Sequence, residues 1–113
     1  MQRAYRAELC RPRTVALGGV TVDLQDAAVH RAEGTAALTA TERAILQKLA
    51  DERGHIVTYD ALCEAVWGAD YYGYENSLNV HIRHLREKIE ADPGRPQWLV
   101  TARGIGYKLA GEM

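Results

Sequence analysis

The side chains able to do chemistry gather in two short stretches of this 113-residue chain. Residues 76–91 hold Asn76, Ser77, Asn79, His81, Arg83, His84 and Arg86, and residues 101–107 hold Thr101, Arg103 and Tyr107 around Gly104 and Gly106. Histidines spaced three apart on a helix, as His81 and His84 would be, can share a metal ion. A site needs at least one more ligand, and no third group stands at suitable spacing, so no metal is expected. No nucleophile, base and orienting group come together either, which argues against an enzyme. Arginines mixed with short polar side chains suit another task, hydrogen bonding to the phosphates and base edges of nucleic acid.

Helical phase sharpens this. At 100° per residue, Leu78, Ile82, Leu85 and Ile89 form one narrow stripe, the core face. Asn76, Val80, Arg83, His84 and Glu87 lie opposite, with Ser77, Asn79, His81 and Arg86 on the flanks. Short polar groups crowd the N-terminal half, the part that helix-turn-helix docking brings to base edges. Val80 projects outward, where it gains little unless an apolar group such as a thymine methyl meets it. The plain alternative is a solvated face, since Arg83–Glu87 and Arg86–Glu90 have the four-residue spacing of surface ion pairs. Beside Gly104 at a tight turn, Arg103 is presented at a tip and suits a narrow, electronegative minor groove. Taken alone, those residues also fit an ordinary solvated turn.

The elements that must position these groups can be read from period and punctuation. Val15 and Leu17, then Val20, Val22 and Leu24, alternate about Gly18-Gly19; residues 28–31 and 35–38 repeat the theme about Glu33-Gly34. Four short antiparallel strands follow from this. Thr39 and Glu42 form a capping box ahead of Ile45, Leu46 and Leu49, with Gly54 as the stop. Thr58 caps a second helix that buries Tyr59, Leu62 and Val66 and ends at Trp67-Gly68. After a tyrosine-rich connection, a third helix runs from Glu75 or Asn76 to about Ala91, where Asp92-Pro93-Gly94 ends it. Residues 98–101 and 107–109 bracket a hairpin turn. This order is that of an α+β winged helix-turn-helix: a four-stranded antiparallel sheet, three helices and a β-hairpin wing. Residues 1–13 read as a flexible lead-in and 14–110 as one domain.

Composition is ordinary for a globular domain, 47% hydrophobic and 26% charged. No apolar run approaches the ~20 residues of a membrane span, and no signal-peptide pattern opens the chain. Cys10 and Cys63 have no ligand-like spacing and read as reduced thiols of a cytoplasmic protein, Cys63 in the core. Net charge is −1, low for a nucleic-acid binder, but it is unevenly spread. Residues 1–13 carry +3, residues 14–75 carry −6 and residues 76–113 carry +2, so the C-terminal third, with the candidate contacts, is locally basic.

Several motifs taken together are far more specific than any one of them. They are Leu38-Thr39-Ala40-Thr41-Glu42, Gly54-His55-Ile56-Val57, Val66-Trp67-Gly68, the run from Asn79 to Ile89, and the run from Thr101 to Tyr107. Across residues 15–109 the chain resembles the effector domain of OmpR/PhoB-type response regulators. The resemblance implies transcription regulation under phosphorylation control, double-stranded DNA with direct repeats as the partner, and a head-to-tail homodimer on it. No cofactor is expected. It places Ser77, Asn79, Val80 and His84 at bases, and Trp67, His81, Arg83, Arg86, Thr101 and Tyr107 at phosphates. Arg103 falls at the minor groove, and the 68–75 loop resembles one that some members use to touch RNA polymerase. Asn76 stands where the family usually has arginine, Ser77 where it has threonine, Asn79 where it has aspartate, and His84 where arginine is common. A receiver domain is absent from these residues, which suggests a fragment or a stand-alone effector. The rival is a winged-helix protein-interaction module without DNA binding, for which Tyr71, Tyr72 and Tyr74 would supply an interface.

Overall fold

The computed structural model describes residues 13–52, 54–68 and 75–111; most of the expected lead-in and the tyrosine-rich connection 69–74 lie outside the described residues. Strands β1 (Thr14–Leu17), β2 (Val20–Asp23), β3 (Ala28–Arg31) and β4 (Gly34–Ala37) form an antiparallel meander in sequence order. Its register aligns Val15, Val22, Val29 and Ala36 across the sheet. Successive side chains in a strand point to opposite faces, so this row meets the core while Thr14, Ala16 and Thr21 face outward.

Helix α1 (Ala40–Asp51) begins on the expected capping box: Glu42 N donates to Thr39 Oγ1 at 3.1 Å and Thr39 N donates to Glu42 Oε1 at 2.9 Å. Helix α2 (Tyr59–Trp67) is capped by Thr58, whose Oγ1 accepts from Ala61 N at 3.1 Å. Its deeply buried residues are Leu62 and Cys63; Tyr59 and Val66, expected in the core, are half-buried. Helix α3 (Glu75–Ile89) sinks Leu78, Ile82, Leu85 and Ile89 into the core with Ile45, Leu49, Leu99 and Leu109. Burying each of these side chains is worth about 1.5–3 kcal/mol before conformational entropy is counted.

Two differences from the sequence reading have physical causes. Strand β5 (Val57–Thr58) is an addition: it pairs with β7 (Gly106–Leu109), which pairs with β6 (Leu99–Ala102), so the wing belongs to a three-stranded sheet β5-β7-β6. The approach of β5 to β7 is so close that a Cβ on Gly106 would overlap the Val57 carbonyl. Helix α3 ends at Ile89 and not near Ala91, because its terminal groups turn to other partners. Arg31 Nη1 donates to the carbonyls of Lys88 (2.9 Å) and Glu87 (3.3 Å), a cation at the negative end of the helix. The next residue, Glu90, is 2% exposed and accepts from the backbone N–H groups of Gln97, Trp98 and Leu99 at 2.8–2.9 Å. That carboxylate ties the end of α3 to the start of the wing.

The side chain of Lys88, in the last turn of α3, anchors the same end of the helix to the rest of the domain. Lys88 Nζ donates to Glu42 Oε1 at 2.6 Å and to the Ala37 carbonyl at 2.9 Å, joining α3 to the N-terminus of α1 and the end of β4. Burial pushes the Glu42 carboxyl up, but the Lys88 ammonium and the Thr39 N–H outweigh it and hold the group below its ordinary value.

Candidate nucleic-acid interface

With its core stripe buried, α3 turns the opposite face to solvent. Val80 is 49% exposed, as its helical phase requires; Asn79, Arg83 and His84 are exposed beside it, and Ser77 is half-buried. Arg83 has no hydrogen-bond or ion-pair partner among the described residues, so the Arg83–Glu87 pair of the solvated-face alternative does not form and its guanidinium is free for an outside group. An open recess of about 380 Å³ lies next to it, lined by Arg83, Arg86, Glu87, Pro93 and Gly94.

One flank of α3 faces α2. The His81 ring lies 6.1 Å from the Trp67 ring and 6.5 Å from that of His84, edge to face in the second case. Trp67 and His81 are half-buried, which leaves part of each ring at the surface. No group of three or more His, Cys, Asp or Glu gathers among the described residues in a way that could hold a metal ion.

The other flank faces the wing. Arg86, which the solvated-face alternative pairs with Glu90, instead donates from Nε to the Leu99 carbonyl at 3.0 Å and from Nη2 to Thr101 Oγ1 at 2.7 Å. Glu90 is drawn away by three backbone donors, so the surface pairing cannot form. Two of the five guanidinium N–H groups of Arg86 are spent in these bonds, and the others remain able to donate. Thr101 accepts from Arg86 and keeps its own hydroxyl hydrogen. The Tyr107 hydroxyl donates to Asn79 Oδ1 at 2.8 Å, so the three phosphate candidates on this flank are all engaged within the fold. Tyr107 is 5% exposed, with its ring edge-on to Tyr59 at 5.5 Å and 5.8 Å from Arg86 Cζ. Burial pushes its phenol up, with Tyr59 adding to the rise and Arg86 opposing it, so the group stays a neutral donor.

Arg103 is exposed at the wing tip. The turn closes by Ile105 N donating to the Ala102 carbonyl at 2.9 Å, and Gly104 takes φ +79°, a conformation that glycine adopts without steric cost. Ile105, beside it, is 51% exposed. The structure therefore brings the groups of residues 77–86 and 101–107 onto one side of the domain, helix and wing next to each other. The sequence reading missed the groups that set this geometry: Arg31, Glu42, Lys88 and Glu90. Only Glu42 announced itself, through the capping box, and then only as a local cap.

A helix pair with a third helix presenting its outer face, flanked by a β-hairpin, defines a winged helix-turn-helix domain. Residues 33–109 match the family described as "Transcriptional regulatory protein, C terminal", and the chain belongs to that family. It is 44% identical over 94 residues to the sensory transduction protein RegX3 of Mycobacterium tuberculosis, covering 83% of this chain and 41% of that protein. Over 107 residues it is 35% identical to the KDP operon transcriptional regulatory protein KdpE of Escherichia coli, covering 95% of this chain and 48% of that one. The chain thus spans less than half the length of either relative. Among solved structures it is similar to the response regulator DrrB of Thermotoga maritima, an OmpR/PhoB homolog, with TM-score 0.80 and 29% identity over 97% of this chain and 50% of that one. It is also similar to the DNA-binding domain of Klebsiella pneumoniae RstA in complex with the RstA box, with TM-score 0.71 and 30% identity over 88% of this chain and 98% of that one.

Proposed function

We propose that this domain binds double-stranded DNA in a sequence-specific manner, as the effector half of a phosphorylation-controlled regulator of transcription. The observation that carries the reading is the outward face of α3: Val80 and Arg83 stand exposed with no internal task, next to a wing tipped by Arg103. The RstA DNA-binding domain, similar in fold and solved in complex with the RstA box, supports DNA binding by a domain of this kind. Ser77, Asn79, Val80 and His84 meet base edges in the major groove, and Arg103 enters the flanking minor groove. Trp67, His81, Arg83, Arg86 and Thr101 meet phosphates. Tyr107 belongs to that row by resemblance, but its single hydroxyl hydrogen is on Asn79, so a phosphate bond would have to displace that contact.

At the level of the whole regulator, two copies sit head to tail on direct repeats, and the 68–75 loop touches RNA polymerase. Most of that loop lies outside the described residues. Selection of bound duplexes from a random-sequence pool tests binding and reveals the operator together. Recovery of a repeated consensus supports the reading. No enrichment over a protein-free control contradicts it and favours an interaction module instead.

A further inference from the structure

An amide side chain has one acceptor oxygen and two donor hydrogens, and its partners decide which end points where. Asn79 is exposed on the wing-facing flank of α3, yet its Oδ1 is already taken by the Tyr107 hydroxyl, 28 positions along the chain. The phenol cannot readily swing away, since its ring is buried between Tyr59 and Arg86. Reversing the amide would make Tyr107 an acceptor and leave its hydroxyl hydrogen in need of another oxygen. Among the described residues the Tyr107 hydroxyl makes no other hydrogen bond. The arrangement therefore keeps Oδ1 inward and turns the Nδ2 hydrogens outward.

We propose that Tyr107 sets the base preference of the domain through Asn79, by holding its amide so that a hydrogen-bond donor faces the major groove. This rests on the DNA-binding reading above and specifies one position of it. A donor there reads an acceptor: N7 or O6 of guanine, N7 of adenine or O4 of thymine. Cytosine is disfavoured, because its major-groove edge offers the N4 amino donor. Aspartate at this position, pinned by the same phenol, would present an oxygen and prefer the opposite partner. Tyr107 is thus a positioning residue, and Asn79 the group that reads.

The test measures affinity for the selected operator and for duplexes carrying each single base-pair substitution, with wild type, Asn79→Asp and Tyr107→Phe. Wild type should disfavour cytosine on the contacted strand at one position, by roughly tenfold. Asn79→Asp should reverse the order at that position alone, and Tyr107→Phe should flatten it while leaving the other positions unchanged. A purely structural role for Tyr107 would lower affinity for all duplexes equally. Asn79 is exposed, so Asn79→Asp decides the sign even if Tyr107→Phe folds poorly. A wild type that favours cytosine there, or an Asn79→Asp protein with unaltered preferences, overturns the inference with DNA binding intact. A wild type that binds no duplex overturns the DNA-binding reading, and this inference with it.

Discussion

Arg86 on α3 holds the wing directly: its Nη2 donates to Thr101 Oγ1 at 2.7 Å and its Nε to the Leu99 carbonyl at 3.0 Å. Arg83, one turn earlier, makes no such bond among the described residues. The two arginines should therefore separate stability from binding. Arg86→Ala should cost about 2 kcal/mol in urea unfolding, since it removes charged hydrogen bonds in a half-buried setting. Arg83→Ala should leave stability within about 0.5 kcal/mol and lower the salt slope of DNA binding by roughly 1, as the loss of one phosphate contact does. Equal stability losses would show that Arg83 has a structural partner.

The Glu42–Lys88 pair makes stability depend on acid. The folded Glu42 carboxyl sits below its ordinary value of 4.5, so folding is favoured by its ionised form. That contribution is complete above the unfolded value and is lost as pH falls through the folded one. Glu42→Gln should lower stability at neutral pH and flatten this part of the acid limb in a series of thermal melts from pH 6 to about pH 3. A mutant curve parallel to wild type would mean that other carboxyls carry the acid dependence.

Two wing glycines should respond for different reasons. At Gly106 an added Cβ meets the Val57 carbonyl, so Gly106→Ala must part β5 from β7 and should cost several kcal/mol, on the order of the largest single-site effects. At Gly104 there is open space but φ is +79°, so Gly104→Ala should cost only about 1–2 kcal/mol of backbone strain. Denaturant melts of both mutants check the order, and a reversed order would refute the assigned register.

Arg103 tests the wing. A surface arginine in a casual ion pair contributes typically under about 1 kcal/mol to stability, and here no partner is present among the described residues. Arg103→Ala should leave the melt unchanged, weaken binding and erase a preference for A/T pairs flanking the major-groove site. Arg103→Lys should recover part of the affinity and less of the preference, because an ammonium is costlier to desolvate in a narrow groove. Titration on duplexes that differ only in the flank decides it; equal losses on A/T-rich and G/C-rich flanks would make Arg103 a phosphate contact.

What could be read from the sequence was what is local. The strand alternation through Val15, Val22 and Val29, the Thr39–Glu42 cap and the Leu78-Ile82-Leu85-Ile89 stripe each appear within a few residues, and each is present in the fold. The outward position of Val80 follows from the same helical phase. What escaped involves partners far along the chain. Strand β5 is two residues long, too short for any period, and exists because β7 lends it hydrogen bonds. Glu90 has the spacing of a surface ion pair with Arg86, but the backbone N–H groups of Gln97, Trp98 and Leu99, where the chain enters β6, draw it inward. Lys88 reaches Glu42 across 46 positions, and the Tyr107–Asn79 bond spans 28, distances over which periodicity carries no information. Gly106 was a usable hint, since a glycine inside a strand often marks a close backbone approach.

The central claim, that the outer face of α3 and the wing form a duplex-binding surface, is tested most directly by affinity as a function of salt. Fluorescence anisotropy of a labelled duplex from the selected pool, titrated with the domain from about 50 to 200 mM salt, measures it. Each phosphate neutralised by a cationic side chain contributes about 0.9 to the log–log slope, so the contacts proposed for Arg83 and Arg86 should give a slope of about 2, with the neutral donors Trp67 and Thr101 adding affinity but no slope. An affinity that is flat across this range, or no binding at the lowest salt, would contradict the claim.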